Sequence, residues 1–338
     1  MNREKSSFKG FYKTILLLGT LFILSSPCSV GAQSEMVQFF GPDIGRSRPS
    51  LTYQLSVYPA EEVTGQSADL RLTQHNASFS LPLAQNPQNE WTFTTTLRGE
   101  QINTSAILPD TQEAFPESLW DLRFGPRYRH RFENGWIGGG SLSVGSASDK
   151  LFHSMDETEL QVTLFTRIPR GERNAWFALL TYSNNREFLN GIPIPGVGYW
   201  YEPSPRYRVI IGIPFAFIQM KPIRDVSIEL SYLPVRFVHA KASYHLLRSL
   251  LFYVGFDWRN ESYFRADRPD KEDRLFYYEK QVGAGLRWEI YKHAFGELGA
   301  GYGFDRFYFE GEKYDDRDKN RLAVENGPFL SVRVGFRF

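Results

Sequence analysis

The chain has 338 residues, a formal net charge of +1 and a single cysteine. This charge, without a basic stripe or an acidic tail, gives no electrostatic sign of a nucleic-acid partner. Aromatic residues make up 16% of the chain, yet the mean hydropathy is negative. No apolar stretch after residue 25 is long enough for a spanning helix, so a helical membrane protein is excluded. A soluble all-β protein and a membrane barrel remain.

The N-terminus has the layout of a secretory signal peptide. A basic stretch precedes an apolar run at 15–24, and Val30 and Ala32 stand at the −3 and −1 positions of a cleavage site before Gln33. In an alternative interpretation, Cys28 is a lipid-attachment site and the chain is cleaved before it. Pro27 disfavours this alternative, because it stands directly before Cys28. We expect a cleaved signal peptide at 1–32, a periplasmic or plug segment at 33–50 and a barrel at 51–338. The mature chain then has no thiol for disulfides or metal binding.

Apolar and polar residues alternate along several later segments. Strands are expected near 51–58, 69–83 and 90–100, and the alternation is clearest at 120–132. One face of that segment reads Trp120, Leu122, Phe124, Tyr128 and Phe132. The other face reads Asp121, Arg123, Gly125, Arg127, Arg129 and Arg131. The polar face suits a wet lumen and the apolar face suits lipid. A soluble sandwich would explain the alternation but not the aromatic excess.

The C-terminal strand favours a membrane barrel over a sandwich. Residues 329–338 alternate with period two, and the chain ends on phenylalanine. A closing strand of this kind is typical of outer-membrane barrels, in which it is read by the barrel-assembly machinery. We therefore expect Phe338, Phe336 and Val334 to form the assembly signal. The expected partners are this machinery and outer-membrane lipids.

The spacing of turns and loops predicts the strand number. Short connections, such as the Asn-Gly hairpin signal at 133–135, alternate with long polar ones at 146–156, 184–195, 260–273 and 311–326. Because both termini lie in the periplasm, the number is even. The stretch 206–246 supplies two strands or four, and two is simpler. With 206–219 as one strand and 226–246 as another bent at Pro234, the count is fourteen, and twelve remains possible. The predicted fold is an all-β, antiparallel up-and-down barrel in the outer membrane of a Gram-negative bacterium.

Two segments resemble a known family. Residues 198–208 read Gly-Tyr-Trp-Tyr-Glu-Pro-Ser-Pro-Arg-Tyr-Arg, an apolar strand with Pro214 follows, and residues 297–302 read Glu-Leu-Gly-Ala-Gly-Tyr before the closing strand. This order resembles an uncharacterised family of bacterial outer-membrane β-barrels, defined only as a domain of unknown function, over residues 110–338. The family has no established activity, so the resemblance implies fold and location only.

A search for catalytic and metal-binding patterns returns little. The chain lacks the serine-hydrolase elbow, the phosphate-binding loop and the zinc-protease motif. His239 and His245 share one strand and face but would stand roughly 20 Å apart, too far to bind one metal ion. His130 suits an aromatic belt at the membrane interface, and the alternative is a lipid-modifying enzyme. No enzymatic activity, cofactor or metal is expected.

Charged residues on the polar faces are the candidate functional residues. The expected pore-lining residues are Arg123, Arg127, Arg129, Arg131, Glu157, Glu159, Glu229, Arg287, Glu289, Glu297, Arg333 and Arg337. A mixed ring of this kind can line a water-filled pore and set its ion preference. It can also close into salt bridges that fill the lumen. The first hypothesis is a passive, weakly selective channel for small solutes, and the second is a non-conducting structural or adhesion-type barrel acting through its outer loops.

Overall fold

A computed structural model describes residues 39–185, 189–213, 215–234, 236–291 and 293–337. Its strands are β1 (Ser50–Glu62), β2 (Asp69–Gln85), β3 (Asn89–Thr104), β4 (Ser118–Arg131), β5 (Ile137–Ser148), β6 (Thr158–Arg170), β7 (Asn174–Ser183), β8 (Ile194–Ser204), β9 (Tyr207–Ile213), β10 (Ala216–Met220), β11 (Val226–Leu233), β12 (Phe237–Leu247), β13 (Leu250–Tyr263), β14 (Arg274–Tyr291), β15 (Ala294–Gly311), β16 (Leu322–Val324) and β17 (Gly327–Arg337). Two short 3-10 helices, Met155–Glu157 and Tyr314–Asp316, lie in loops. No helix of the described ranges is long and apolar enough to span a membrane.

The strands form one closed antiparallel barrel. Each strand from β1 to β15 pairs with the next, β15 also pairs with β17, and β17 pairs with β1. The three-residue β16 pairs beside β15, and its Val324 forms a single bridge with Val63. Sixteen strands of the described chain therefore close the barrel, and the predicted fold class is confirmed.

Within the described residues the barrel has sixteen strands, so the predicted number of fourteen was wrong. The segment 206–219, expected as one strand, is the β9–β10 hairpin, and 226–246 is the β11–β12 hairpin. Proline stands in the sequence at each reversal, as Pro214 and Pro234. Proline has no N–H to donate to a neighbouring strand, so it is favoured where a strand ends. A turn was thus the better interpretation of Pro234 than a bend.

Apolar side chains cover the outer face of the wall. On β17 the outward residues Leu330, Val332, Val334 and Phe336 are exposed, whereas the intervening Phe329 is buried inside. The same alternation runs along β7, where Trp176 and Leu180 face outward. An apolar outer face around a closed barrel is the pattern of a membrane-spanning β-barrel, and it places the protein in the outer membrane.

The wall is tall on one side and short on the other. Strands β14 and β15 each have 18 residues, whereas β9 has 7, β10 has 5 and β11 has 8. At about 3.3 Å per residue, β10 extends only about 17 Å. We call β9–β11 the short wall. With the short turns placed on the periplasmic side, the longest loops cover the opposite, outer end.

Contacts between distant strands close the outer end of the barrel. Ser148 at the end of β5 forms a parallel bridge with Phe264, which follows β13, and the Phe264 N–H donates to the Ala147 carbonyl at 2.7 Å. Beneath this bridge lies a buried apolar cluster, the outer core, to which the loop after β3 contributes Leu108 and Phe115. The outer half of the lumen is therefore packed like a protein interior.

Residues 39–49 lie inside the periplasmic half of the barrel, and we call them the plug. Phe40 and Ile44 of the plug are buried in an apolar cluster with side chains from the strands β5 to β12. We call this cluster the aromatic lobe. The signal peptide predicted at 1–32 lies outside the described residues.

Candidate functional site in the barrel lumen

The predicted pore-lining residues mostly occupy lumen-facing positions but do not form one ring. Glu157 is the exception, because it lies in the 3-10 helix of an outer loop. The lumen-facing set is Arg123, Arg127, Arg129 and Arg131 on β4, Glu159 on β6, Glu229 on β11, Arg287 and Glu289 on β14, Glu297 on β15, and Arg333 and Arg337 on β17. Most of them divide among a clamp on the plug, an ion-pair layer and a polar chamber. Glu229 instead accepts a hydrogen bond from Gln219 at 3.0 Å, and Glu289 lies 2.9 Å from Arg287.

The clamp is the ion pair between Arg129 and Glu90. The two residues stand directly opposite each other on β4 and β3, and Arg129 Nη2 lies 2.7 Å from Glu90 Oε1. Arg129 also donates to the plug carbonyls of Gly41 at 3.2 Å and Asp43 at 2.6 Å. Glu90 Oε2 accepts the N–H of Gly45 at 2.9 Å. One buried ion pair thus binds the plug backbone from both sides.

The plug backbone fits this clamp because of one glycine. Gly45 has a φ of +73°, which other residues rarely adopt, and a Cβ there would collide with the Asn86 carbonyl oxygen. Arg131 adds a hydrogen bond to the Pro42 carbonyl at 2.5 Å, and Arg127 lies 5.6 Å from the ring centre of Phe39. The arginines predicted to line a pore at this level therefore hold the plug.

The ion-pair layer crosses the lumen above the plug. Arg98 on β3 bonds Asp121 on the neighbouring β4 and reaches Glu261 on the distant β13, with its Nη1 2.9 Å from Oε1. Arg123 lies 2.9 Å from both Asp121 and Glu159. All five side chains are largely buried. Strands on opposite sides of the barrel are thus joined directly through charged groups.

A second set of contacts completes the layer on the tall side. Arg259 Nη2 lies 2.6 Å from Glu279 Oε2 and donates to Gln74 Oε1 at 2.6 Å. Tyr308 donates to Glu100 at 3.0 Å. These bonds connect β13, β14 and β15 with β2 and β3 across the lumen. The mixed charges that could have lined a pore are therefore paired across it at this level.

The polar chamber lies between the layer and the periplasmic end of the tall side. A cavity of about 80 Å³ is lined by Lys241, Tyr253, Glu297 and Arg333 among others. A neighbouring cavity of about 50 Å³ shares the lining residues Gln54, His239, Asp257 and Gln281. Each is polar and large enough for several water molecules. The chamber is the part of the lumen best suited to hold small solutes.

The charged groups around Glu297 in the chamber are loosely paired, whereas Asp257 in the same chamber lies 2.5 Å from His239. Glu297 Oε1 lies 3.5 Å from Arg287 Nη1, and its Oε2 lies 3.9 Å from Arg333 Nη1. The Lys241 ammonium lies 4.0 Å from the ring centre of Tyr253. Such groups can exchange these contacts for contacts with a passing ion at small cost. The pairs in the ion-pair layer are shorter and bind more tightly.

Glycines on β14 and β15 make room for the chamber wall. A Cβ at Gly285 would meet the Tyr253 hydroxyl at 2.6 Å, and one at Gly299 would meet it at 2.9 Å. The ring of Tyr253 therefore lies flat against the sheet and leaves the centre of the lumen open. Both glycines face the lumen, as the alternation with outward Leu286 and Leu298 predicts.

Sequence reasoning missed several lumen residues. Glu90, Arg98 and Glu261 were not among the candidates, although each is a charged residue at a lumen-facing position. A charged residue within an alternating strand could have indicated these positions. In β3, however, apolar and polar residues alternate only weakly, so its lumen-facing charges were not recognised. His239 and Asp257 stand opposite each other on β12 and β13, with Nδ1 2.5 Å from Oδ1.

His130 faces outward near the periplasmic rim. Its Nδ1 lies 2.8 Å from Asn89 Oδ1, and its ring stands 6.5 Å from Tyr128 and 4.7 Å from Phe132. These contacts match the aromatic belt expected for it. Within the ranges that the structure describes, no three His, Cys, Asp or Glu side chains are grouped to bind a metal ion.

The residues of the expected assembly signal are only partly described. Val334 and Phe336 are exposed on the outer face of β17, and Phe338 lies outside the described residues. β17 closes the barrel by pairing with both β1 and β15. The role of these side chains in assembly stays a prediction.

An ion pair holds the outer loop after β5. Glu157 Oε1 lies 2.9 Å from Arg268 Nη1, and Glu157 Oε2 accepts the Ser154 N–H at 2.7 Å. Burial alone would raise the pKa of Glu157, but the hydrogen bonds from Ser154 and Arg268 lower it below its ordinary value. The carboxylate is thus kept charged and ties two outer loops together.

Comparisons with known proteins support no family. No protein-family model matches the chain, and no curated protein matches it. Among solved structures, the Pseudomonas putida toluene transporter TodX is 11% identical, with 89% of this chain and 90% of that chain covered and a TM-score of 0.39. The translocator domain of the autotransporter NalP from Neisseria meningitidis is 9% identical, with 91% and 96% covered and a TM-score of 0.33. Both TM-scores lie below 0.5, so these likenesses carry no argument about what this chain does.

Proposed function

We propose that the protein is a gated outer-membrane channel for small solutes, seen in its closed state. The observation that carries this proposal is the clamp, in which Arg129 and Glu90 hold the plug backbone inside the periplasmic half of the lumen. A structural barrel could fill its lumen with side chains of its own wall. A separate segment bound through backbone atoms can leave without unfolding any strand.

Two barriers in series close the channel. The plug closes the periplasmic half, and the ion-pair layer together with the outer core closes the outer half. Between the periplasmic end and the layer lies the polar chamber, whose loosely paired charges would set a weak ion preference. Because the barriers lie in series, a solute passes only when both are open.

Single-channel conductance of the purified barrel in planar lipid bilayers tests the proposal. Arg129→Gln removes the charge that binds the plug, and Arg123→Gln removes the charge that joins Asp121 to Glu159. We expect rare openings in the native protein and in either single variant. The double variant is expected to open at least about tenfold more often, since independent barriers multiply. Arg208→Gln is the matched control, because Arg208 pairs with Glu202 in the lumen without touching the plug.

A folded double variant that stays silent would contradict the channel. It would favour the second candidate, a non-conducting structural or adhesion-type barrel acting through its outer loops. The observation behind that candidate is the packed outer core with the bridge between Ser148 and Phe264. The proposal involves no enzymatic step, and a lipid-hydrolysis assay of the native protein and His130→Ala addresses the remaining alternative.

A further inference from the structure

One side of the lumen is apolar and aromatic, although a barrel lumen is usually polar. In the aromatic lobe, Phe165 on β6, Phe177 on β7 and Phe215 between β9 and β10 are all buried. The rings of Phe177 and Phe215 stack with centres 5.6 Å apart and planes at 26°. The lobe therefore offers a continuous aromatic surface beside the polar chamber.

The plug supplies the ring that fills this surface. Phe40 stacks on Phe177 with centres 5.5 Å apart and planes at 22°, and it meets Phe165 edge-on at 5.1 Å and 83°. These are the two arrangements that aromatic pairs prefer. Departure of the plug would withdraw Phe40 and leave a slot shaped for a flat ring between Phe165 and Phe177.

The walls of the slot favour apolar ligands. Arg167 and Arg208 lie against the face of Trp200, 5.3 Å and 5.0 Å from the ring centre. Arg208 is also paired with Glu202 at 3.0 Å. Between Phe165 and Phe177 a charged ligand would lose its water, whereas an apolar ring would replace the contacts of Phe40.

We propose that the slot is a binding site for small, flat, neutral aromatic molecules, which compete with Phe40 of the plug. The site rests on the proposed function only in requiring that the plug can leave. Occupancy by the ligand would disfavour return of the plug, because one slot cannot hold both rings. The solute class of the channel would then include small aromatic compounds.

Fluorine NMR titration of 1-fluoronaphthalene onto the barrel in lipid nanodiscs tests the site, with empty nanodiscs correcting for uptake by lipid. Phe40→Ala removes the competing ring, so the apparent Kd is expected to fall at least about tenfold relative to the native protein. Phe115→Ala is the matched control, because it truncates an equally buried ring in the outer core. Adding Ala175→Leu to Phe40→Ala refills the lobe and is expected to abolish the gain.

Two results would overturn the site. One is the absence of saturable binding by a folded Phe40→Ala barrel, and the other is an equal gain in Phe115→Ala, which would show general cavity filling. The binding and conductance experiments can fail independently of each other. If the Arg129→Gln, Arg123→Gln double variant opens but the Phe40→Ala variant does not bind the ligand, the channel is supported and the aromatic site is contradicted. If the ligand binds but the double variant does not conduct, the site is supported and the channel is contradicted.

Discussion

Arg98 joins two carboxylates from different strands in the ion-pair layer. It is 6% exposed and bonds both Asp121 and Glu261. Removing one partner of a buried ion pair leaves the other charges uncompensated, which costs about 3–5 kcal/mol. We expect Arg98→Met to lower the free energy of unfolding by about this amount in urea titrations followed by tryptophan fluorescence. Arg71→Met, at an exposed outward position, is the control, and a loss below about 1 kcal/mol for Arg98→Met would contradict the layer.

The direction of the lumen residues could be predicted, but their partners could not. Alternation on β4 correctly indicated that Arg123, Arg127 and Arg129 face away from lipid. It could not show that Arg129 binds a segment some 86 residues away in sequence, at the Asp43 carbonyl. Such contacts depend on how the closed barrel brings distant strands together. For Glu157, the alternation of β6 was extended into a loop where no strand exists.

Among the elements, the outer loop that follows β5 should respond to acid. Because the pKa of Glu157 is lowered in the folded protein, its ion pair with Arg268 stabilises the loop fully above the ordinary value of 4.5. The contribution is lost as the pH falls through the lowered folded value. We expect the Ser154 amide, which donates to Glu157, to lose hydrogen-exchange protection as the pH falls from the ordinary value of 4.5 through the lowered folded value. Glu157→Gln has no carboxyl group to titrate, so its Ser154 protection should not show this loss, and equal pH profiles for both proteins would refute the assignment.

Long strands were more predictable than short ones. Each of β1, β2 and β3 exceeds ten residues and was expected near its observed position. The elements β9 and β10 are too short for alternation to establish a strand, and the two residues between Ile213 and Ala216 were taken as part of one strand. Turn chemistry at Pro214 was the signal available, and it competed with the expectation that a membrane strand has nine or more residues.

For the whole molecule, fold class and location followed from the sequence, whereas the state of the lumen did not. A closed barrel with an apolar exterior requires only alternation and an even strand number. Whether sixteen strands enclose water or a packed interior depends on the plug, the loop with Phe115 and the cross-lumen bonds. None of these leaves a periodic signal in the sequence.

The short wall also has a consequence for the surrounding bilayer. A strand of five residues covers about 17 Å along its length, less than the apolar band of about 25 Å that barrels usually present. Lipids beside β9–β11 must therefore thin locally, at a fraction of a kcal/mol for each ångström of hydrophobic mismatch. Refolding into short-chain phosphatidylcholine vesicles should accordingly be more complete than into long-chain vesicles of equal fluidity. Equal yields would mean that the barrel tilts in the membrane so that its short side is covered by lipid. The asymmetry of the wall would then determine the orientation of the barrel and not the local thickness of the membrane.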